Sequence, residues 1–204
     1  MIEIFGPVRS RTSRCLWTAE ECGVEYKHRS LDLAAGEHRS SENLALNPNG
    51  RVPFMRHDEL VLFESAAICL YMAERHPEAN LLPTRPSRDA ALFDQWMFWI
   101  TTELDQALWT MGKHSFALPE EFRVEGMRKT ALFEFDRATK VLAKALTGRD
   151  FLVGDHFTLV DLMASHTLLW ARRFDIDLGS AELERYLDLH LARPAFSRVL
   201  KLTS

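Results

Sequence analysis

The chain has 204 residues, 47% hydrophobic and 26% charged, with 25 Lys and Arg against 29 Asp and Glu for a formal net charge of -4. That length allows one domain or two small ones, and the balance leaves no basic excess to attract nucleic acid or an anionic membrane surface. The three cysteines, Cys15, Cys22 and Cys69, lie in predicted helices without the close pairing of a zinc or dithiol site, so they read as reduced core thiols and no metal is expected.

The N-terminus enters a strand pattern, Ile2 to Phe5, without a basic leader, and no apolar run reaches the length of a bilayer span, so a cytoplasmic protein is expected. Thr12 to Cys22 carries Cys15, Leu16, Ala19 and Cys22 at helical spacing and stops at Gly23. Glu25 to Leu31 alternates as a second strand, and Ser40 to Leu46 reads as a short helix. Phe54 to His57 and Leu60 to Phe63 form a hairpin around Asp58-Glu59, and Ser65 to Arg75 is a helix with Ala66, Cys69, Leu70 and Ala73 on one face. The order β-α-β-α-β-β-α predicts an α/β domain over residues 1–76.

Residues 77–88 hold Pro77, Pro83 and Pro86 and read as an extended linker. Beyond it, residues 89–204 read as all helix, with segments at Asp89 to Thr110, Glu120 to Leu146, Leu159 to Phe174 and Ala181 to Leu191. Phe157-Thr158-Leu159-Val160-Asp161-Leu162 is a helix-start signature. Thr158 and Asp161 can cap each other's N–H groups, with Phe157 stapled on Leu162. Loss of Asp161 should cost about 1 kcal/mol, and more if the site is buried.

Two stretches carry the functional reading. Asn47-Pro48-Asn49-Gly50-Arg51-Val52-Pro53 forces a turn, and Pro53, at the first position of a strand, leaves Val52 with backbone groups free for a ligand. Eleven residues on, Glu64-Ser65 opens a helix whose N–H groups and dipole favour an anion. Together they describe a site for a small acidic peptide, although Glu64-Ser65 alone is also an ordinary helix cap.

These motifs, with the proline-rich linker and Gly154-Asp155-His156-Phe157-Thr158-Leu159-Val160-Asp161, resemble those of the cytosolic glutathione transferase family over essentially the whole chain. The resemblance implies a thioredoxin-like N-terminal domain that binds glutathione, an all-helical C-terminal domain that shapes the second-substrate pocket, a cis peptide before Pro53, and a homodimer. Carried over by position, Glu64 and Ser65 grip the γ-glutamyl end, Val52 pairs with the cysteinyl portion, and His38 and Arg51 face the glycyl carboxylate. Asp105 would reach the glutamyl amine across the dimer. The thiol-activating position falls in Phe5-Gly6-Pro7-Val8-Arg9-Ser10-Arg11-Thr12-Ser13-Arg14, which holds neither tyrosine nor cysteine. Ser10 is the first choice there and Thr12 the second, with Arg9 or Arg11 sharing the work; Ser10 or Thr12 could equally cap the first helix.

The implied activity is attack of the glutathione thiolate on a small hydrophobic electrophile, held against a helical hairpin whose turn contains Trp109, Met111, His114 and Phe116, with Trp109 and Phe116 as pocket candidates. Other readings on the same scaffold are a glutathione-dependent isomerase, dehalogenase or disulfide-bond reductase, and a non-catalytic protein-interaction module.

Overall fold

A computed structural model describes residues 1–202. The chain divides into two compact units, one formed by residues 1–82 together with the segment from Leu191 onward, the other by Pro83–His190.

The first unit is built on strands β1 (Ile2–Phe5), β2 (Tyr26–Arg29), β3 (Phe54–His57) and β4 (Leu60–Phe63), in spatial order β2-β1-β3-β4. β1 runs parallel to β2 and antiparallel to β3, which pairs antiparallel with β4. Between them come α1 (Thr12–Cys22) and α2 (Ser41–Leu46), and α3 (Ser65–Arg75) follows β4. This is the expected β-α-β-α-β-β-α order and a thioredoxin-like sheet. α1 ends on Gly23 at φ 64, where the left-handed conformation costs glycine little. Ser40 caps α2 by accepting from the Asn43 N–H.

Strand alternation gives the sheet two different faces. Ile2, Ile4 and Met55 are buried on the face covered by α1 and α3, with Cys15, Leu16, Ile68 and Met72 fully enclosed. Cys15, Cys22 and Cys69 are buried and free, as expected; burial pushes the Cys22 thiol up to about 12 and Cys15 well above its ordinary value. The opposite face carries Phe5 stacked on Phe54 at 4.5 Å and, beside them, Glu3 between Arg29 and Arg56.

A helix that the sequence reading left out, α9 (Pro194–Lys201), closes the first unit. It packs on α1 through Phe196 against Trp17 at 4.7 Å, while Arg193 forks onto Glu21 at 2.6 and 2.8 Å and Arg198 binds Glu20. Proline at the first helical position, followed by Phe196 and Val199 three apart, was its available signal. The terminal segment expected with the helical domain thus belongs to the sheet unit. The stretch expected to be an extended linker contains a 3₁₀ turn, Pro77–Ala79, and buries Leu81.

The second unit is helical, with α4 (Arg88–Trp99), α5 (Asp105–Gly112), α6 (Met127–Ala145), α7 (Leu159–Arg173) and α8 (Ala181–Leu191, whose last residue is counted with the first unit). Two sequence expectations are corrected. α4 and α5 are joined through a π-helical segment, Ile100–Leu104, and a second, Lys113–Ala117, prolongs the helix, so Trp109, Met111, His114 and Phe116 lie on helix and not in a hairpin turn. The chain leaves the helix only at Leu118, at φ -83 and ψ 153, because Pro119 excludes the helical conformation from the residue before it. The segment expected as one helix from Glu120 is a single 3₁₀ turn, Glu120–Phe122, and α6 begins at Met127. Phe122 and Val124 are 64% and 54% exposed, so the apolar spacing there meets no core to bury it.

The Thr158–Asp161 capping box forms as read, and its surroundings enlarge it. Asp161 is fully buried, and its carboxylate accepts from Leu152 N at 2.8 Å, Thr158 N at 2.9 Å, Thr158 Oγ1 at 3.0 Å and Tyr186 Oη at 2.7 Å. One side chain therefore ties the loop before α7, the start of α7 and α8 together. Asp161→Ala should destabilise the protein by about 3 kcal/mol, well above an ordinary cap, because it orphans buried donors; Tyr186→Phe should cost about 1 kcal/mol. Urea unfolding midpoints at constant m-value measure both.

Candidate active site

Three chain segments of the first unit converge at the C-terminal end of β1: the β1–α1 loop, the turn before β3 and the start of α3. Gly6 is the point of closest approach. Its φ of 126° suits glycine, and a Cβ built there would stand 2.2 Å from Thr12 Oγ1 and 2.8 Å from Val52 Cβ. Both contacts are far inside van der Waals range. The Phe5-Gly6-Pro7 sequence signals a sharp exit from the strand but does not reveal which segments crowd it.

The turn before β3 is held from within by Asn47, which is 2% exposed. Its Nδ2 donates to Arg51 O at 2.8 Å, its Oδ1 accepts from Asn49 N at 3.2 Å, and its carbonyl accepts from Gly50 N at 3.0 Å. The Val52–Pro53 peptide is cis, as the family resemblance implied. Pro53 is buried and Val52 half-buried, and no hydrogen bond joins the Val52 main chain to any described residue. The free edge read from the sequence is therefore present.

Glu64 precedes α3 with φ 72 and ψ 114, a left-handed conformation that costs a residue with a Cβ on the order of 1 kcal/mol or more. Its side chain is exposed, while Ser65, the first residue of α3, is buried with its Oγ accepting from Arg14 Nη1 at 3.3 Å. Since Arg14 already donates to that oxygen, the Ser65 hydroxyl proton is left to point elsewhere. Arg14 itself is 1% exposed, and the sequence had grouped it with Arg9 and Arg11 as one basic stretch.

In the β1–α1 loop, Arg9 is exposed and Ser10 half-buried. Ser10 Oγ lies 2.7 Å from Pro7 O and 2.8 Å from Thr12 Oγ1, and it accepts from Thr12 N at 3.1 Å. The N-cap of α1 is Arg11, without a side-chain cap, so Ser10 braces the loop just before the helix and does not cap it. Its single proton has two acceptors in reach and can be redirected. Thr12 is fully enclosed, with its hydroxyl against Gly6.

His38 is half-buried in the 3₁₀ turn before α2; its Nδ1 is shielded from solvent and has no partner among the described residues. Burial, with help from Arg39, lowers its pKa, so the ring is neutral at pH 7, and the tautomer that avoids an unpaired buried N–H keeps the proton on Nε2. Arg51 is exposed beside the turn. In the second unit, Asp105 is buried at the first residue of α5, Trp109 is half-buried, and Phe116 is 56% exposed and stacks on Phe174 at 6.5 Å.

The first unit is thus a thioredoxin-like sheet with a strained Glu-Ser helix start and a Val52 main chain left unpaired. Comparison with known sequences gives the family. The model for the glutathione S-transferase N-terminal domain matches residues 2–74, and that for the C-terminal domain matches residues 106–194. Glutathione S-transferase 1 of Zea mays is 32% identical over 167 residues, covering 79% of this chain and 76% of the relative. The chain belongs to the glutathione S-transferase family. Among solved structures, a glutathione transferase of Methylococcus capsulatus superposes with a TM-score of 0.89 at 24% identity over 100% of this chain and 98% of its own. A Sulfitobacter homologue solved with bound glutathione gives 0.86 at 20% identity, over 98% and 97%. These two likenesses are likenesses of fold.

If Gly6 sets the spacing between the start of α1 and the turn before β3, Gly6→Ala should either lower stability by about 2 to 4 kcal/mol or move the loops apart. Chemical unfolding measures the first, and amide exchange of Thr12 and Gly50, whose N–H groups are bonded to Ser10 Oγ and Asn47 O, measures the second.

Proposed function

We propose that the chain binds glutathione across the site just described and transfers its thiolate to a small hydrophobic electrophile. The observation that carries this reading is Glu64, held at positive φ where a helix start meets the unpaired Val52 main chain. Strain of that kind persists where a ligand contact uses it. In this reading, Glu64 and the Ser65 hydroxyl take the γ-glutamyl group, Val52 pairs with the cysteinyl portion, and Pro53 fixes the turn. His38, through Nε2–H, and Arg51 meet the glycyl carboxylate. Charge-assisted contacts to carboxylate are the strong kind, and glutathione offers two. Asp105 keeps the role the resemblance implied, toward the glutamyl amine.

The thiol lies by Ser10 at the start of α1. The helix dipole, Arg9 and a hydroxyl donor all favour the thiolate over the thiol, whose free pKa is about 8.5. Ser10 gives up one of its two local acceptors to supply that donor, and Thr12 shapes the loop around it. The nucleophile is the anion, so the rate falls as pH drops through the pKa of the bound thiol. Holding two reactants together supplies the remaining acceleration. The electrophile is assigned to the aromatic surface of the second unit around Trp109 and Phe116. A cytoplasmic location suits free buried thiols, and no helix among the described residues is long and apolar enough to cross a membrane.

Two measurements test the reading. Titration of the thiolate absorbance of bound glutathione should show Ser10→Ala raising the thiol pKa by about 1, equivalent to ~1.4 kcal/mol, with Arg9→Ala raising it less. Glu64→Gln and Ser65→Ala should each weaken glutathione binding about tenfold in calorimetry, the loss of one charge-assisted bond. Wild-type protein that fails to bind glutathione at millimolar concentration would overturn the proposal.

A homodimer is the second part of the proposal, supported by Phe98 on α4 and Phe133 on α6, which are 70% and 62% exposed. Phe133→Asp should convert the dimer to monomer in sedimentation equilibrium while the circular dichroism spectrum stays unchanged.

A further inference from the structure

The face of the sheet that carries Glu3 forms an open cavity of about 530 Å³ between the strands and α2, within the size range of small-molecule sites. Its floor is an unusual choice for a sheet. Glu3 is 9% exposed at a position where its neighbours on β1 are aliphatic or aromatic. Arg29 gives Nε and Nη2 to Oε1 at 3.1 and 3.0 Å, and Arg56 gives the same two groups to Oε2. Both carboxylate oxygens are thus saturated by the same edge of each guanidinium. The Nη1 groups of both arginines donate to no described residue, and both side chains are 44% exposed and line the cavity.

A half-exposed ionic triad is a poor device for stability, because solvent screens the two arginines while the enclosed Glu3 carboxylate still bears a desolvation cost. As an anchor for two half-open guanidiniums it makes sense, since Glu3 engages their Nε and Nη2 groups and leaves the Nη1 donors of two cavity-lining residues open. The rest of the lining completes the description. Glu42, in the first turn of α2, lines the cavity with a carboxylate that accepts from no described residue, and Phe5 and Leu31 supply an apolar wall. Two guanidiniums are balanced by Glu3 and Glu42, so the acidic and arginine side chains of the lining carry both signs and cancel.

We propose that this cavity binds a small zwitterion, an amino acid or short peptide with an apolar side chain. Its carboxylate is held by the free Nη1 groups of Arg29 and Arg56, its ammonium by Glu42, and its side chain by Phe5 and Leu31. A simple anion would meet Glu42 as an uncompensated like charge, and a simple cation would meet the arginines. The inference stands independently of where glutathione binds.

The test is a titration of the ¹⁵N-labelled chain with L-phenylalanine, hydrocinnamate (no ammonium) and phenethylamine (no carboxylate), followed by amide chemical shifts. L-Phenylalanine should shift amides of β1, the end of β2 and α2, and bind at least tenfold more tightly than either analogue. Arg56→Gln should weaken it about tenfold. Glu42→Gln, on an exposed position that leaves the fold intact, should reduce L-phenylalanine to the affinity of hydrocinnamate while hydrocinnamate holds or improves. The proposal fails if L-phenylalanine does not bind near its solubility limit, if hydrocinnamate binds equally well to the wild type, if Glu42→Gln changes nothing, or if saturating glutathione displaces the probe.

Discussion

The contact between Gly6 and the two segments that crowd it sets the geometry of the first unit. β1 is central in the sheet and pairs on both sides, so its C-terminal end is fixed before any loop is considered. The chain must then turn into α1 while the cis-proline turn comes in beside it, and the two can share that space only where no side chain intervenes. The close approach of Gly6 brings Val52 and Thr12 to either side of one glycine, and Ser10, bonded to Thr12, is placed as a consequence. Asn47 performs the complementary task from inside the turn. The site is therefore assembled by backbone and by buried polar side chains that no ligand needs to touch.

Much of this was legible in the sequence. β1, α1, β3, β4, α3 and α8 begin and end where the periodicity and the punctuating residues put them, because each buries one face of a regular pattern and is stopped by glycine, a tight turn or a helix cap. What was not legible depends on packing. The Trp109 to Phe116 region reads as the turn of a helical hairpin, yet the helix runs through it and continues by a π-helical segment until Pro119 forces it to end. Glu120 to Gly126 reads as helix from apolar spacing, but those apolar side chains face water. α9 was overlooked because its eight residues are too short to stand alone and are stabilised by Trp17, Glu20 and Glu21 of a helix more than 170 residues earlier.

The site residues show the same division. The turn at Val52 and the helix start at Glu64-Ser65 were legible because turn chemistry and a helix start are local events. The convergence of Ser65 with Arg14 was not, since it joins residues 51 apart. Gly6 was visible as a break, but its consequence lay in atoms from two other segments. Ser10 illustrates a further point: its loop-bracing bond and its proposed catalytic role are compatible, because a hydroxyl can accept from the Thr12 N–H with its lone pairs while its proton is directed to another acceptor.

Arg9, Arg11 and Arg14 show how one basic stretch divides once it folds. Three like charges at the start of a helix oppose its dipole, so a sequence reading treats them alike, as a solvated face or as a shared electrostatic field. In the fold, Arg9 is exposed and Arg14 is enclosed, donating to Ser65 across α1 and α3. A positive charge buried between two helix N-termini raises the local potential much more than one in water, because little solvent intervenes to screen it. Arg14 therefore orients the Ser65 hydroxyl and adds to the field at the start of α3, where the proposed glutamyl carboxylate would sit, whereas Arg9 acts through solvent at the start of α1. The two arginines should consequently respond differently to salt: the influence of Arg9 fades as ionic strength rises, and that of Arg14 persists.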